Sequence, residues 1–183
     1  MSPQDLENIY AEMGIDTSAL GCMMLDTENI IVSDIIEEDT LFFSKDPRKF
    51  WINGIVCEWK NPHVTLLCGL MESAQNWKSY IDVLLSEVDI PTVTIERVSY
   101  FDSNYDTEDY YCIIAEVQKS EELITANNLL KKLPHISSFP EYVPHITLAY
   151  IKKDPDALEP ILSQLTDKFI NKKIKTTRMN YGE

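Results

Sequence analysis

The sequence predicts an α+β fold, on three observations. Short apolar runs that alternate with polar residues occur in both halves of the 183-residue chain and read as strands. Between them stand segments with apolar residues three and four apart, opened by Ser or Asp and closed by Gly or Pro, which read as helices. In chain order these are helix, several strands, helix, two strands, helix, strand, helix, strand. Strand groups followed by a helix therefore recur, as expected of one domain, residues 1–183, built from two similar lobes.

Each element has its own warrant. Ser2 suits a helix cap, Pro3 the first helical position and Gly14 the position past the end, with Leu6, Ile9, Tyr10 and Met13 on one face. "ALGCMMLD" (19–26) reads as a buried strand and "NIIVSDII" (29–36) as a second. "GIVCEW" (54–59) and "PHVTLLCG" (62–69) follow as strands. Ser73 opens a helix whose buried stripe is Trp77, Ile81, Leu84, Leu85 and Val88, and Pro91 stops it. "TVTIERVSYF" (92–101) and "YYCIIAEV" (110–117) alternate as a strand pair around the polar loop 102–109. A helix over 120–132 starts at Ser120, with Glu121 and Glu122 where negative charge suits the helix dipole. A strand over 145–151 follows, and Asp154-Pro155 caps a helix carrying Leu158, Ile161, Leu162 and Leu165. "KKIKTTRMNY" (172–181) alternates weakly and reads as an edge strand.

Composition narrows the function. No apolar run approaches the ~20 residues of a membrane span, and no basic-then-apolar signal opens the chain. The formal net charge of −14 argues against gripping long nucleic acid through its phosphates. That charge is uneven: no Lys or Arg precedes Lys45, whereas Lys168, Lys172, Lys173, Lys175 and Arg178 crowd the other end. Such blocks read first as solvated faces. Cys22, Cys57, Cys68 and Cys112 are scattered singly with no Cys-x-x-Cys, so they read as reduced core thiols of a cytoplasmic protein.

The chemistry-bearing signal is a repeat. Residues 61–70, "NPHVTLLCGL", and 141–151, "EYVPHITLAYI", share the pattern Pro-His-(Val/Ile)-Thr-Leu, although the chain has only three histidines. On a strand, residues i and i+2 face the same way, so His63 with Thr65, and His145 with Thr147, each make a polar pair above an apolar face. Neutral imidazole accepts a proton and imidazolium donates one near neutral pH, so two such pairs suit acid–base attack on a phosphodiester. The threonine hydroxyls suit the non-bridging oxygens, and no metal or cofactor is required. His135, in "PHISSFPEY", has a similar pattern, but Ser138 and Pro140 interrupt any strand, which makes it a loop histidine. No third His, Asp or Glu stands at zinc-ligand spacing beside either motif.

Two His-x-Thr strands about eighty residues apart in an α+β chain of this size resemble the two-histidine (2H) phosphoesterase superfamily. The resemblance implies a bilobed fold, with two mainly antiparallel sheets facing a central cleft and helices packed outside. "IYAEMGIDTSALGCMMLD" (9–26) further resembles the start of the bacteriophage anti-CBASS phosphodiesterases. That implies hydrolysis of cyclic di- and trinucleotide defence signals such as 3′,3′-cGAMP, in the bacterial host cytoplasm if the protein is phage-encoded. His63, Thr65, His145 and Thr147 are the implied catalytic residues. Tyr10 is the implied base-stacking residue, with plain core packing as its alternative. An RNA-end 2′,3′-cyclic phosphodiesterase or 2′–5′ ligase-like enzyme is the second reading, and a nucleotide-sequestering binding protein the third.

Overall fold

Alternating burial marks the strands and capping side chains mark the helices in a computed structural model, which describes residues 8–9, 11–14, 20–42, 62–102, 110–136 and 141–182. Among these residues the strands are β1 (Gly21–Thr27), β2 (His63–Leu70), β3 (Thr92–Asp102), β4 (Tyr110–Val117), β5 (His145–Lys152) and β6 (Lys173–Asn180). The bounded α-helices are α1 (Lys78–Leu84), α2 (Glu121–Leu130) and α3 (Pro155–Phe169). Two of these begin on a conventional cap. The Ser120 hydroxyl accepts from Leu123 N–H at 3.2 Å, and the Asp154 carboxylate accepts from Asp156 N–H at 3.0 Å.

All pairings are antiparallel, and the strands close in the order β1-β2-β5-β4-β3-β6. The α+β class is as expected, and the two lobes are recognisable as β6-β1-β2 and β3-β4-β5. They join along two thin seams. One is a single registered pair, Val64 with Ile146, between β2 and β5. The other pairs Thr92–Thr94 of β3 with Lys173–Lys175 of β6.

One strand face is apolar and covered by helices. Val64, Leu66, Ile146 and Leu148 are fully buried there, in one cluster with Leu123 and Leu130 of α2 and Leu158 and Leu165 of α3. Hydrogen bonds tie helix to strand: Asn127 Nδ2 donates to the Leu66 carbonyl at 2.6 Å, and the Thr166 hydroxyl donates to the Val98 carbonyl at 3.4 Å. His63, Thr65, His145 and Thr147 stand on the opposite face of β2 and β5, half-buried.

Several expectations need correction. Residues 29–36 form no strand but an irregular segment with a turn at 33–35, where the N–H groups of Ile35 and Ile36 both donate to Val32 C=O, at 3.0 and 2.8 Å. Ile30, Val32 and Ile36 are apolar because that segment packs into the core. The helix after Ser73 begins as a 3-10 turn (Ala74–Trp77) and ends at Leu84, short of Val88. β6 is not an edge strand, since β1 pairs with one side and β3 with the other. Cys22 and Cys68 are not free thiols: the β1–β2 register sets them opposite one another, Cα atoms 4.1 Å apart, and a disulfide joins them. This removes those two cysteines from the case for a reducing compartment. Among the described residues no helix is long and apolar enough to cross a membrane. Residues 8–9 and 11–12 are helical and Gly14 has φ +80°, as its helix-ending position requires. The 54–59 strand lies outside the described residues.

Candidate active site

The seam between the lobes is also the meeting place of the two motifs. Val64 lies opposite Ile146, so in an antiparallel ladder His63 falls opposite Thr147 and Thr65 opposite His145. The four polar side chains thus form a two-fold arrangement on one face, with each histidine beside the threonine of the other lobe. Period-two alternation buries the intervening Val64, Leu66, Ile146 and Leu148 beneath them.

The prolines have a local purpose that the repeat alone does not reveal. Pro62 C=O accepts from Thr27 N–H of β1 at 2.8 Å, and Pro144 C=O accepts from Val117 N–H of β4 at 3.0 Å. Each motif is therefore anchored at its first residue by the strand on its outer side. Proline offers only an acceptor there, and only an acceptor is needed.

His145 is held in one tautomer. Its Nδ1 lies 2.9 Å from the Val143 carbonyl, which can only accept, so Nδ1 carries the hydrogen. In the neutral ring Nε2 is then the basic atom. Burial lowers the pKa of this imidazole, against the opposing pull of the Val143 carbonyl and the Glu116 carboxylate. The Phe101 ring packs edge-on against it at 5.3 Å between centroids.

Other side chains around the site carried no motif. Tyr142 donates its hydroxyl to Thr65 C=O at 2.9 Å, linking the approach to β5 with β2 across the seam. Cys112 shares hydrogen bonds with Thr147 and Tyr150, and its burial pushes the thiol up to about 12, so it is a neutral neighbour. Tyr110 packs against Tyr150 at 5.1 Å and Phe42 at 5.0 Å, continuing an aromatic patch away from His145. A hollow of about 300 Å³, bordered by Glu116, Lys119, Val143 and Pro144, opens on its other side. Of these, Cys112, Glu116, Tyr110 and Tyr150 carry only the alternation of their strands as a sequence signal, Pro144 belongs to the second motif, and Phe42, Lys119, Tyr142 and Val143 stand outside the strands with no signal.

His135 lies elsewhere. It bridges Leu70 at the far end of β2 and directs Nδ1 to the Leu133 carbonyl at 2.7 Å. Seven residues of strand, roughly 23 Å, separate Leu70 from His63. Tyr10 and, of the polar loop 102–109, residues 103–109 lie outside the described residues. Tyr181 packs onto α1, its hydroxyl donating to Asp82 beneath the Lys78 ammonium. No group of three or more His, Cys, Asp or Glu side chains at metal-holding distance occurs among the described residues.

Comparison with known proteins agrees with this architecture. A family model described as the 2′-5′ RNA ligase superfamily matches residues 51–180, a span that includes both histidine strands. Usb1 of Kluyveromyces marxianus has a similar fold at 12% sequence identity, with a TM-score of 0.56 over 91% of this chain and 95% of that one. A search of curated protein sequences gives no match. The family match covers most of the chain, and with it the protein belongs to the 2′-5′ RNA ligase superfamily of two-histidine phosphoesterases.

Proposed function

We propose that the protein is a metal-independent phosphodiesterase that cleaves 3′–5′ bonds of small cyclic oligonucleotides, the di- and trinucleotide signals of bacterial CBASS immunity. The observation that carries this reading is the two-fold set of His63, Thr65, His145 and Thr147 around the Val64–Ile146 pair. In the first step one imidazole takes the proton of a ribose 2′-OH as O2′ bonds to the adjacent phosphorus. The P–O5′ bond breaks, and the other imidazole protonates the departing O5′. This opens the ring and leaves a 2′,3′-cyclic phosphate. In the second step the roles exchange: water adds to phosphorus, the P–O2′ bond breaks, and a 3′-phosphate remains. The threonine hydroxyls bind the non-bridging oxygens where charge builds. A nucleophile already present in the substrate needs only alignment and proton transfer, each proton transfer giving about 10²–10⁴ in rate.

The cyclic-signal substrate is supported by the resemblance of residues 9–26 to anti-CBASS phosphodiesterases and by the net charge of −14, which disfavours long polyanions. The family description favours a second reading, an RNA end carrying a 2′,3′-cyclic phosphate or a 2′–5′ bond. Incubation with 3′,3′-cGAMP, short RNA 2′,3′-cyclic phosphates and 2′–5′ dinucleotides in EDTA separates them. Linear product from the ring supports the first reading, and an intact ring beside processed RNA ends supports the second. A ring that binds but is recovered unchanged points to sequestration.

A further inference from the structure

The two-fold arrangement extends beyond the motifs, to residues that neither motif contains. His145 faces Glu116 across the β4–β5 ladder, and Glu116 faces Arg97 across the β3–β4 ladder. In the other lobe His63 faces Asp26 across the β1–β2 ladder, and Asp26 faces Arg178 across the β1–β6 ladder. Directly opposed residues share a face and lie close together. Arginine grips the carboxylate in both lobes. Arg97 donates to Glu116 through Nε, and through a second guanidinium nitrogen at 3.2 Å. Arg178 Nε donates to Asp26 at 3.0 Å, and Asn180 Nδ2 donates to the same carboxylate at 3.0 Å. The residue after each acid, Thr27 or Val117, is the one whose N–H holds the proline of the facing motif. The same row, histidine–acid–arginine, thus runs outward from the seam in both directions.

We infer that Glu116 with Arg97, and Asp26 with Arg178, are paired positioning residues that set the charge felt by His145 and His63. Their catalytic meaning rests on the reading of these histidines as an acid–base pair. A carboxylate one strand away favours the imidazolium, and the arginine behind it tempers that field. Each imidazole can then hold a proton in one step and give it up in the next. Asp26 is 1% exposed, a position a carboxylate rarely occupies unless paired. The Glu116 carboxyl is half-buried, which raises its pKa, but Arg97 and Ser99 outweigh this and keep it below its ordinary value.

The other groups around His145 do not replace this charge. Among the described residues they are the Phe101 ring, the neutral Cys112 beside Thr147, the Tyr142 hydroxyl and, across the seam, His63 with Thr65. Glu96 and the Lys119–Glu141 pair lie around the adjoining hollow. Among the described residues, Asp26 faces His63 with Arg178 behind it, and Thr147 with His145 lies across the seam.

The test needs no substrate. Only three histidines give imidazole Cε1–H resonances, so NMR titration reads each directly. Glu116→Gln should lower the His145 midpoint by about half to one pH unit, and Arg97→Gln should raise it, each leaving His135 unmoved. Asp26→Asn and Arg178→Gln should move the His63 midpoint in the same two directions. Opposite shifts from the acid and arginine variants, with an unperturbed His135, are not produced by loosened structure. Midpoints unchanged in Glu116→Gln and Arg97→Gln, or shifted alike, would overturn the inference. The shifts found without any phosphodiesterase activity would instead overturn only the proposed function.

Discussion

At the scale of single residues the proposal turns on which imidazoles sit at the seam. His63→Ala and His145→Ala should each reduce phosphodiester cleavage by at least 10²–10⁴ while nucleotide binding persists, since each removes one proton-transfer partner. His135→Ala, at the far end of β2, should leave turnover within about twofold, as read by chromatography of products. Rescue of the assignment to His135 by the opposite result would require a different site altogether. The electrostatics of His145 also show in stability. Its pKa in the fold lies below the ordinary 6.5, chiefly through burial, so the unfolded chain binds its proton more readily. The contribution of the neutral ring is therefore full above about pH 6.5 and is lost as pH falls toward the folded value. Urea midpoints of wild type and His145→Gln should converge as pH falls below that range, and a difference constant from pH 8 to 5 would refute the sign.

At the scale of elements the site depends on two strands that meet in a single registered pair. Ile146 is fully buried under that pair, so Ile146→Ala should cost about 2–5 kcal/mol in a denaturant melt and weaken activity in proportion to the loss of register. The distal end of β2 is fixed differently. Gly69 has φ +101°, and a Cβ there would lie 2.0 Å from the Ile136 carbonyl oxygen, whose residue donates its N–H to Gly69 C=O at 2.7 Å. Gly69→Ala should therefore destabilise by a few kcal/mol, through backbone strain and this clash. These strands were legible in the sequence because His63–Leu70 and His145–Lys152 alternate, and the caps Ser120 and Asp154 marked two helices for the same local reason. The turn at 33–35 was not, since Val32 and Ile36 are apolar in answer to tertiary burial, which overrides local periodicity. Likewise β6 reads as an edge because Lys173, Lys175 and Arg178 alternate with apolar residues, yet pairing partners on both its sides are remote in sequence. Glu116 and Asp26 escaped notice because a strand register, invisible in one sequence, is what sets them opposite the histidines.

At the scale of the molecule, charge and covalent closure complete what the strands begin. Acidic residues of the first third meet basic residues of the last segment at two places: Asp26 pairs with Arg178 across the β1–β6 ladder, and Asp34 of the 33–35 turn pairs with Lys168 of α3 at 2.9 Å. Two of the five cations of the basic block, Lys168 and Arg178, are therefore paired within the fold, which leaves Lys172, Lys173 and Lys175 exposed on a chain of net charge −14. Long RNA should accordingly compete poorly with a small nucleotide, and competition that strengthened with RNA length would contradict this. The Cys22–Cys68 disulfide then closes a loop of sequence separation 46 between β1 and β2, the strand that carries the first histidine motif. Loop-closure entropy for that span gives an upper stabilisation of roughly 4 kcal/mol, most of it acting on the unfolded chain. Under dithiothreitol the guanidinium midpoint should fall for the wild type, whereas a Cys22→Ser/Cys68→Ser variant should already sit at the lower midpoint and ignore the reductant. Alkylation without reductant should spare both sulfurs, and with reductant should label both. Because β1 and β2 remain hydrogen-bonded along their length, the reduced protein should still fold and keep its strand register. Identical midpoints with and without reductant would mean that the β1–β2 ladder alone supplies the closure, and the crosslink then adds nothing to stability.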